Sequence, residues 1–230
     1  MKPSWRTEAP ALALVLLMFA LSAWAWPAVP ERVPTHWGLD GRPDDWGSRA
    51  AGLLITPLVG VGLYLLFLVL PRLDPGRANY ERFAGPYLTF RLATLGFVAA
   101  MHVATLAVYF GRAPSPVLFA MPLGGVALIV AGNMMGKIRP NWFFGVRTPW
   151  TLSSKHSWNR THRAAGWVLI AGGLLFVIAG VVQHAWAVGI ALGALALGLV
   201  GVIVYSYFEW KADPDKLPPA GTSPANDVAP

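Results

Sequence analysis

The chain has 230 residues, 55% hydrophobic and 13% charged, with a mean hydropathy of +0.51 and a formal net charge of +7. Soluble domains carry roughly 25% charged residues, so this composition excludes an ordinary soluble fold and points to the membrane. Cysteine is absent, which excludes disulfides, thiolate catalysis and cysteine-ligated metals.

Five charge-free runs set the architecture: 9–30, 50–71, 92–111, 113–136 and 164–208. A hydrocarbon core of ~30 Å needs about 20 residues of helix at ~1.5 Å each. The last run, at 45 residues, holds two spans joined at the polar interruption Gln183–Trp186. The expected fold is therefore an all-α membrane protein, a bundle of six transmembrane helices. The first run follows Lys2 and Arg6 like a signal peptide. Its apolar stretch is longer than that of an ordinary cleaved leader, and it reads as a retained first helix. With the N-terminus inside, 14 of the 18 Lys and Arg fall on the cytoplasmic side and four, Arg32, Arg42, Arg49 and Arg112, outside. This positive-inside bias predicts both termini in the cytoplasm. The charge is thereby explained by topology and implies no direct nucleic-acid contact.

Taken in order, the first outer loop is 30–49, rich in Gly, Pro and Asp. Asp40-Gly41 and Pro43-Asp44 read as two tight turns, with Trp37 and Trp46 at headgroup level. His36, Asp40, Asp44 and Asp45 are weighed as cation ligands. Their spacing matches no metal signature, and turn formation accounts for the aspartates. Arg91, just inside the third span, is expected to snorkel to the interface. His102 is the titratable group near mid-span. It reads either as a functional group or as a neutral imidazole bonded to a neighbouring helix. Gly132/Gly136 and Gly189/Gly193 have helix-packing spacing and are assigned to packing within the bundle. No catalytic, cofactor or metal motif is present, and the charge-free runs hold no carboxylate for a proton relay.

The stretch 139–163 is different in kind. Pro140 and Pro149 bar a continuous helix, and Gly145 allows a backbone path closed to other residues. An ordered, irregular loop is expected over 139–150, with Trp142, Phe143, Phe144 and Trp150 in the interface. Ser153 or Ser154 then caps a new helix. On that helix Trp158, His162 and Ala165 share a packing face. Arg160, Arg163 and Trp167 share another, suited to phosphate headgroups. Asn133, Asn141, Thr148, Thr151 and Asn159 need partners near the membrane, which predicts a polar lattice joining the fourth and fifth spans to the loop. The tail from 209 to 230 is expected to be disordered.

"GNMMGKIRPNWFFGVRTPWTL" followed by "WNRTHRAAGW" resembles the SdpI family of bacterial multi-pass membrane proteins, over about 117–208. "VPTHWGLDGRPDDWGSR" is similar to a small domain of unknown function that often precedes that module, over about 14–62. The resemblance implies domains at 1–115 and 116–208 and a non-enzymatic role: immunity to a membrane-active antimicrobial peptide, or signalling of its presence. It implies a secreted toxic peptide outside and a cytoplasmic transcriptional repressor as partners, besides the lipid bilayer of the bacterial inner membrane. The motif positions are Asn133, Arg139, Pro140, Asn141, Phe144, Gly145, Arg147, Thr148, Pro149, Trp150, Thr151, Trp158 and His162, with Pro34, His36, Trp37, Gly41 and Asp44 in the outer loop. A small-molecule or lipid transporter, with a polar path reaching His102, is the alternative. A membrane enzyme using His36 or His162 ranks below it, because the two histidines fall on opposite sides.

Overall fold

The computed structural model describes residues 4–38 and 41–218. Six helices in it are long and apolar enough to cross a membrane. They are α1 (Trp5–Ala25), α2 (Arg49–Leu73), α3 (Ala84–Tyr109), α4 (Val117–Met135), α6 (Lys155–Val182) and α7 (Ala185–Ala212). Between α4 and α6 lies one short helix, α5 (Pro149–Leu152). A 3-10 turn, Arg77–Phe83, leads into α3. The expected break in the last apolar run falls at Gln183, which takes a left-handed conformation (φ 53°) and caps α6.

The outer loop departs from a plain pair of turns. It forms a two-stranded antiparallel hairpin, β1 (Arg32–Trp37) and β2 (Pro43–Ser48), with an irregular register around His36. Val33 anchors it by packing among Ala25, Val29, Leu53 and Leu106. Asp40 lies outside the described residues. The last strand residue, Ser48, also caps α2 by accepting from the Ala51 N–H at 3.2 Å.

Helix packing runs continuously through the bundle, with α3 against α1, α2 and α4. Toward the N-terminal helices, α1, α2 and α3 bury Ala11, Val15, Met18, Leu95 and Ala99 together. His102 sits fully buried among these three helices. Ser22 Oγ donates to the Leu53 carbonyl at 2.6 Å, so it accepts from His102 Nε2–H at 3.1 Å. The imidazole thus ties α3 to α1, and Ser22 ties α1 to α2.

Arg91 does not snorkel. It is fully buried and forms an ion pair with Glu8 at 2.9 Å, and Tyr64 donates to the same carboxylate at 3.1 Å. Glu8 falls inside α1, one residue before the charge-free run, so a membrane helix does carry a carboxylate. Opposite charge within the protein satisfies the guanidinium better than a stretch to water, which its buried position does not allow.

On the other side of α3, α4 and α6 meet along a glycine seam. A Cβ on Gly132 would lie 2.7 Å from the Gly166 carbonyl, and one on Gly125 would lie 2.5 Å from the Gly173 carbonyl. Both pairs repeat at seven residues, so each helix presents bare backbone to the other on every second turn. The GxxxG assignment therefore needs correction. Gly132 belongs to the seam, while Gly189 and Gly193 have nothing within 4 Å of an added Cβ. α7 also runs to Ala212, past the expected start of the tail, and Leu217 N–H bonds the Ser153 carbonyl at 3.1 Å. The remainder of that expected tail, 219–230, lies outside the described residues.

Two outcomes follow for purified protein in detergent. Gly132→Ala or Gly173→Ala should destabilise by about 1–3 kcal/mol through overpacking. Gly193→Ala should leave the thermal midpoint unchanged or slightly raised, since alanine is the better helix former. Equal midpoints for all three would contradict the seam. Separately, Glu8→Gln should cost about 3–5 kcal/mol, the usual penalty for stranding one partner of a buried ion pair. A thermal melt indistinguishable from the parent would show that Arg91 is satisfied without Glu8.

Candidate functional site

Loop 139–152 is built from buried polar groups. Asn141 is 2% exposed. Its Oδ1 accepts from the N–H groups of Phe143 (2.9 Å) and Phe144 (2.6 Å), and its Nδ2 donates to the Arg139 carbonyl at 2.9 Å. One side chain thereby closes the turn from both of its ends.

The loop is fastened from three directions. Asp74, which caps the end of α2, accepts from the Trp142 N–H at 3.1 Å, from Tyr80 OH at 2.8 Å and from the Gly76 N–H at 2.6 Å. Asn79 donates to the Pro140 carbonyl at 2.8 Å. From α6, His162 Nε2 accepts the Val146 N–H at 3.1 Å, so the ring proton sits on Nδ1 and donates to the Trp158 carbonyl at 2.8 Å. Both ring nitrogens are committed. Trp158 stacks on His162 at 4.0 Å and donates its indole N–H to the Ile138 carbonyl at 3.0 Å.

Gly145 has φ +93°, and a Cβ there would lie 2.1 Å from His162 Nε2. Backbone conformation and space both require glycine. Arg147 is exposed and donates to the Trp142 carbonyl, bridging the loop across its mouth. Phe144 corrects an expectation. It turns inward rather than toward the interface, stacking on Phe67 at 6.3 Å and meeting Tyr87 edge-on at 5.1 Å.

The third fastening comes from α7. Thr148 and Thr151 form a reciprocal capping box around α5, with Pro149 at its first position. Thr148 Oγ1 meets Ser206 Oγ at 3.0 Å, and Ser157 donates to the Ser206 carbonyl at 2.8 Å. Ser154 caps α6, as the sequence suggested, and also donates to Asp213. Trp150 meets Tyr207 edge-on at 5.3 Å.

The lattice is real but differs in membership from expectation. It joins the loop to the ends of α2, α6 and α7. Asn133 and Asn159 are exposed and stand outside it. Arg160 donates from Nε to Glu209 at 3.4 Å, and Glu209 also accepts from His156 at 2.8 Å. Asp74, Asn79, Ser206 and Asp213 are the members that sequence reasoning missed. Asp74-Pro75-Gly76 does carry a readable Asx-turn signal, but nothing local announces that its second oxygen serves a segment 68 residues away.

Beside the loop lies a hollow of about 1340 Å³, walled by Arg82, Arg139, Lys155, Asn159, Asp213 and Leu217. A second, of about 370 Å³, lies under it among Phe90, Met135, Phe144, Val146 and Leu169. At the opposite end, His36 Nδ1 and Asp44 Oδ1 lie 2.6 Å apart on the hairpin, both exposed. Pro34 gives its carbonyl to Tyr109 OH at 2.9 Å, Trp37 is half-buried, and Gly41 (φ +77°) faces Ser115. Among the described residues no three His, Cys, Asp or Glu side chains gather to hold a metal.

Asp213 lies just beyond α7, and its carboxyl is held below the ordinary value of 3.8, chiefly by the Ser154 hydrogen bond. A carboxyl depressed in the folded state stabilises fully above its unfolded pKa and loses that contribution as pH falls through its folded one. The α6–α7 anchor should thus be complete at neutral pH and weaken below about pH 4. Protection factors for the Ser157 and Trp158 amides should drop there in the parent, and Asp213→Asn should remove the pH dependence. A parent profile identical to that of Asp213→Asn would refute it.

Residues 137–206 match the SdpI/YfhL protein family, and residues 13–61 match a domain of unknown function, DUF1648. The chain is 25% identical over 203 residues to the immunity protein SdpI of Bacillus subtilis (strain 168), covering 87% of this chain and 94% of that protein. No solved structure matches.

Proposed function

From the match of residues 137–206 to the SdpI/YfhL protein family, we propose that this chain is a non-enzymatic immunity protein of the bacterial inner membrane. It gives resistance to a membrane-active peptide or signals the peptide's presence. The observation that carries this reading is the loop 139–152, whose backbone is fixed by Asn141, Asp74, His162 and Thr148. A segment held by that many buried polar bonds is a preformed surface rather than a slack connection.

Both termini face the cytoplasm on this reading, supported by the 14 of 18 basic residues that fall on that side. The hairpin then meets the peptide outside, and the polar hollow beside Arg139 and Lys155 receives a cytoplasmic regulator. Two observations weigh against the other classes. His102 is fully buried on Ser22, which opposes a polar transport path through it. His162 has both nitrogens committed, and His36 lies at the far end of the bundle, which opposes an acid–base pair.

Deletion of the gene should sensitise cells to at least one peptide in a panel of pore-forming peptides. In complemented cells Arg147→Ala should reduce resistance or signalling at least tenfold while the membrane level of the protein stays normal, because the side chain is exposed and braces only the loop mouth. Unchanged sensitivity across the panel would remove the immunity reading. Loss of the protein itself would make Arg147 a folding residue instead.

A further inference from the structure

A cavity of about 490 Å³ opens on the same end of the bundle as the motif loop, between α1, α2, the 3-10 turn and α3. None of the loop's motif residues lines it. Its polar wall holds Arg72, Arg77 and Arg91, opposed by Glu8 and Glu81, and its apolar wall includes Phe67 and Leu68.

The charges are not evenly spent. Glu8 is neutralised by Arg91 and further held by Tyr64. Glu81 has an interaction of its own. Arg72 and Arg77 are exposed, one at the end of α2 and the other at the start of the 3-10 turn. Arg91 is fully buried, yet its Nε has no hydrogen-bond partner among the described residues. Buried donors are rarely left unpaired in folded proteins. The position adds a constraint. Arg72 lies in the last turn of α2, a helix long and apolar enough to cross a membrane. A hollow at the end of such a helix, with arginines at its rim and apolar residues in its wall, has the polarity of a phospholipid: an anionic head on one side, glycerol and acyl carbons on the other.

We propose that this cavity is a phosphate-binding site, with Arg72 and Arg77 holding the phosphate oxygens above the Arg91–Glu8 pair. Arginine suits the task because its planar fork gives two parallel donors to one phosphate. Arg91, anchored on Glu8 and on the Thr7 carbonyl at 2.8 Å, sets the positive floor of the site and does not leave it. The phosphate belongs to an anionic lipid headgroup or is free in solution, and one experiment separates these sources.

Purified full-length protein is titrated in detergent with phosphatidylglycerol, bound lipid being counted by native mass spectrometry. The parent is compared with Arg72→Gln/Arg77→Gln and with the charge-matched control Lys155→Gln/Lys211→Gln. Both arginines are exposed, so the variant should fold, and its thermal melt checks that. Phosphatidylglycerol affinity should fall about tenfold in the arginine variant, the scale of losing charge-assisted hydrogen bonds, and stay near parental in the lysine control. Diacylglycerol, which lacks the phosphate, should bind the parent and both variants alike. If inorganic phosphate at millimolar concentration does not displace the lipid, the headgroup is the ligand. If it does, and by itself raises the thermal midpoint of the parent but not of the arginine variant, free phosphate is the ligand. Equal loss of phosphatidylglycerol binding in both variants, or no loss in either, would leave only general attraction to a basic surface and overturn the site.

Discussion

Irregular backbone that is buried must find partners for its N–H and C=O groups within the protein. Loop 139–152 meets that demand with side chains drawn from three helices. Asn141 closes its turn, Asp74 takes the Trp142 N–H, and His162 takes the Val146 N–H. Once those bonds are fixed, much else has no freedom left. Gly145 must be glycine because His162 occupies the space a Cβ would need. His162 must be the Nδ1–H tautomer because Nε2 is already accepting. Phe144, its amide held by Asn141 Oδ1, turns its ring inward and completes the aromatic cluster with Phe67, Tyr80 and Tyr87.

The parts of this arrangement that the sequence reveals are those governed by local rules. Spans are legible because hydrocarbon thickness converts directly into a count of uncharged residues. The break at Pro140 and Pro149, the need for glycine at 145 and the cap at Ser154 are legible because each depends on one residue's own backbone chemistry. Trp158, His162 and Ala165 are legible because a helix fixes which side chains share a face. Each miss depends on a partner far along the chain. Arg91 taken alone belongs at the interface, and only the arrival of Glu8, 83 residues away, lets it stay buried. The glycine pairs show the same limit. Spacing by four suggests a contact face, yet Gly189 and Gly193 meet nothing, while the actual seam runs at a spacing of seven between α4 and α6.

The two ends of the molecule are joined by α2. Its N-terminus is capped by Ser48, the last residue of the hairpin, and its C-terminus is closed by Asp74, which holds the motif loop. Between them the Leu53 carbonyl accepts from Ser22, and the Phe67 carbonyl accepts from Tyr87, so the helix is pinned to α1 at one end and to α3 at the other. A ligand on the hairpin alters the loop only if it binds two arrangements of such an element with different affinity. Shifting an equilibrium from 1:99 to 99:1 takes about 5.5 kcal/mol of that difference. Single hydrogen bonds contribute roughly 1 kcal/mol each. No one contact in the hairpin suffices, so a peptide that signals through this bundle has to engage the hairpin over several contacts at once, or draw on apolar burial beside Trp46 and the exposed face of α2.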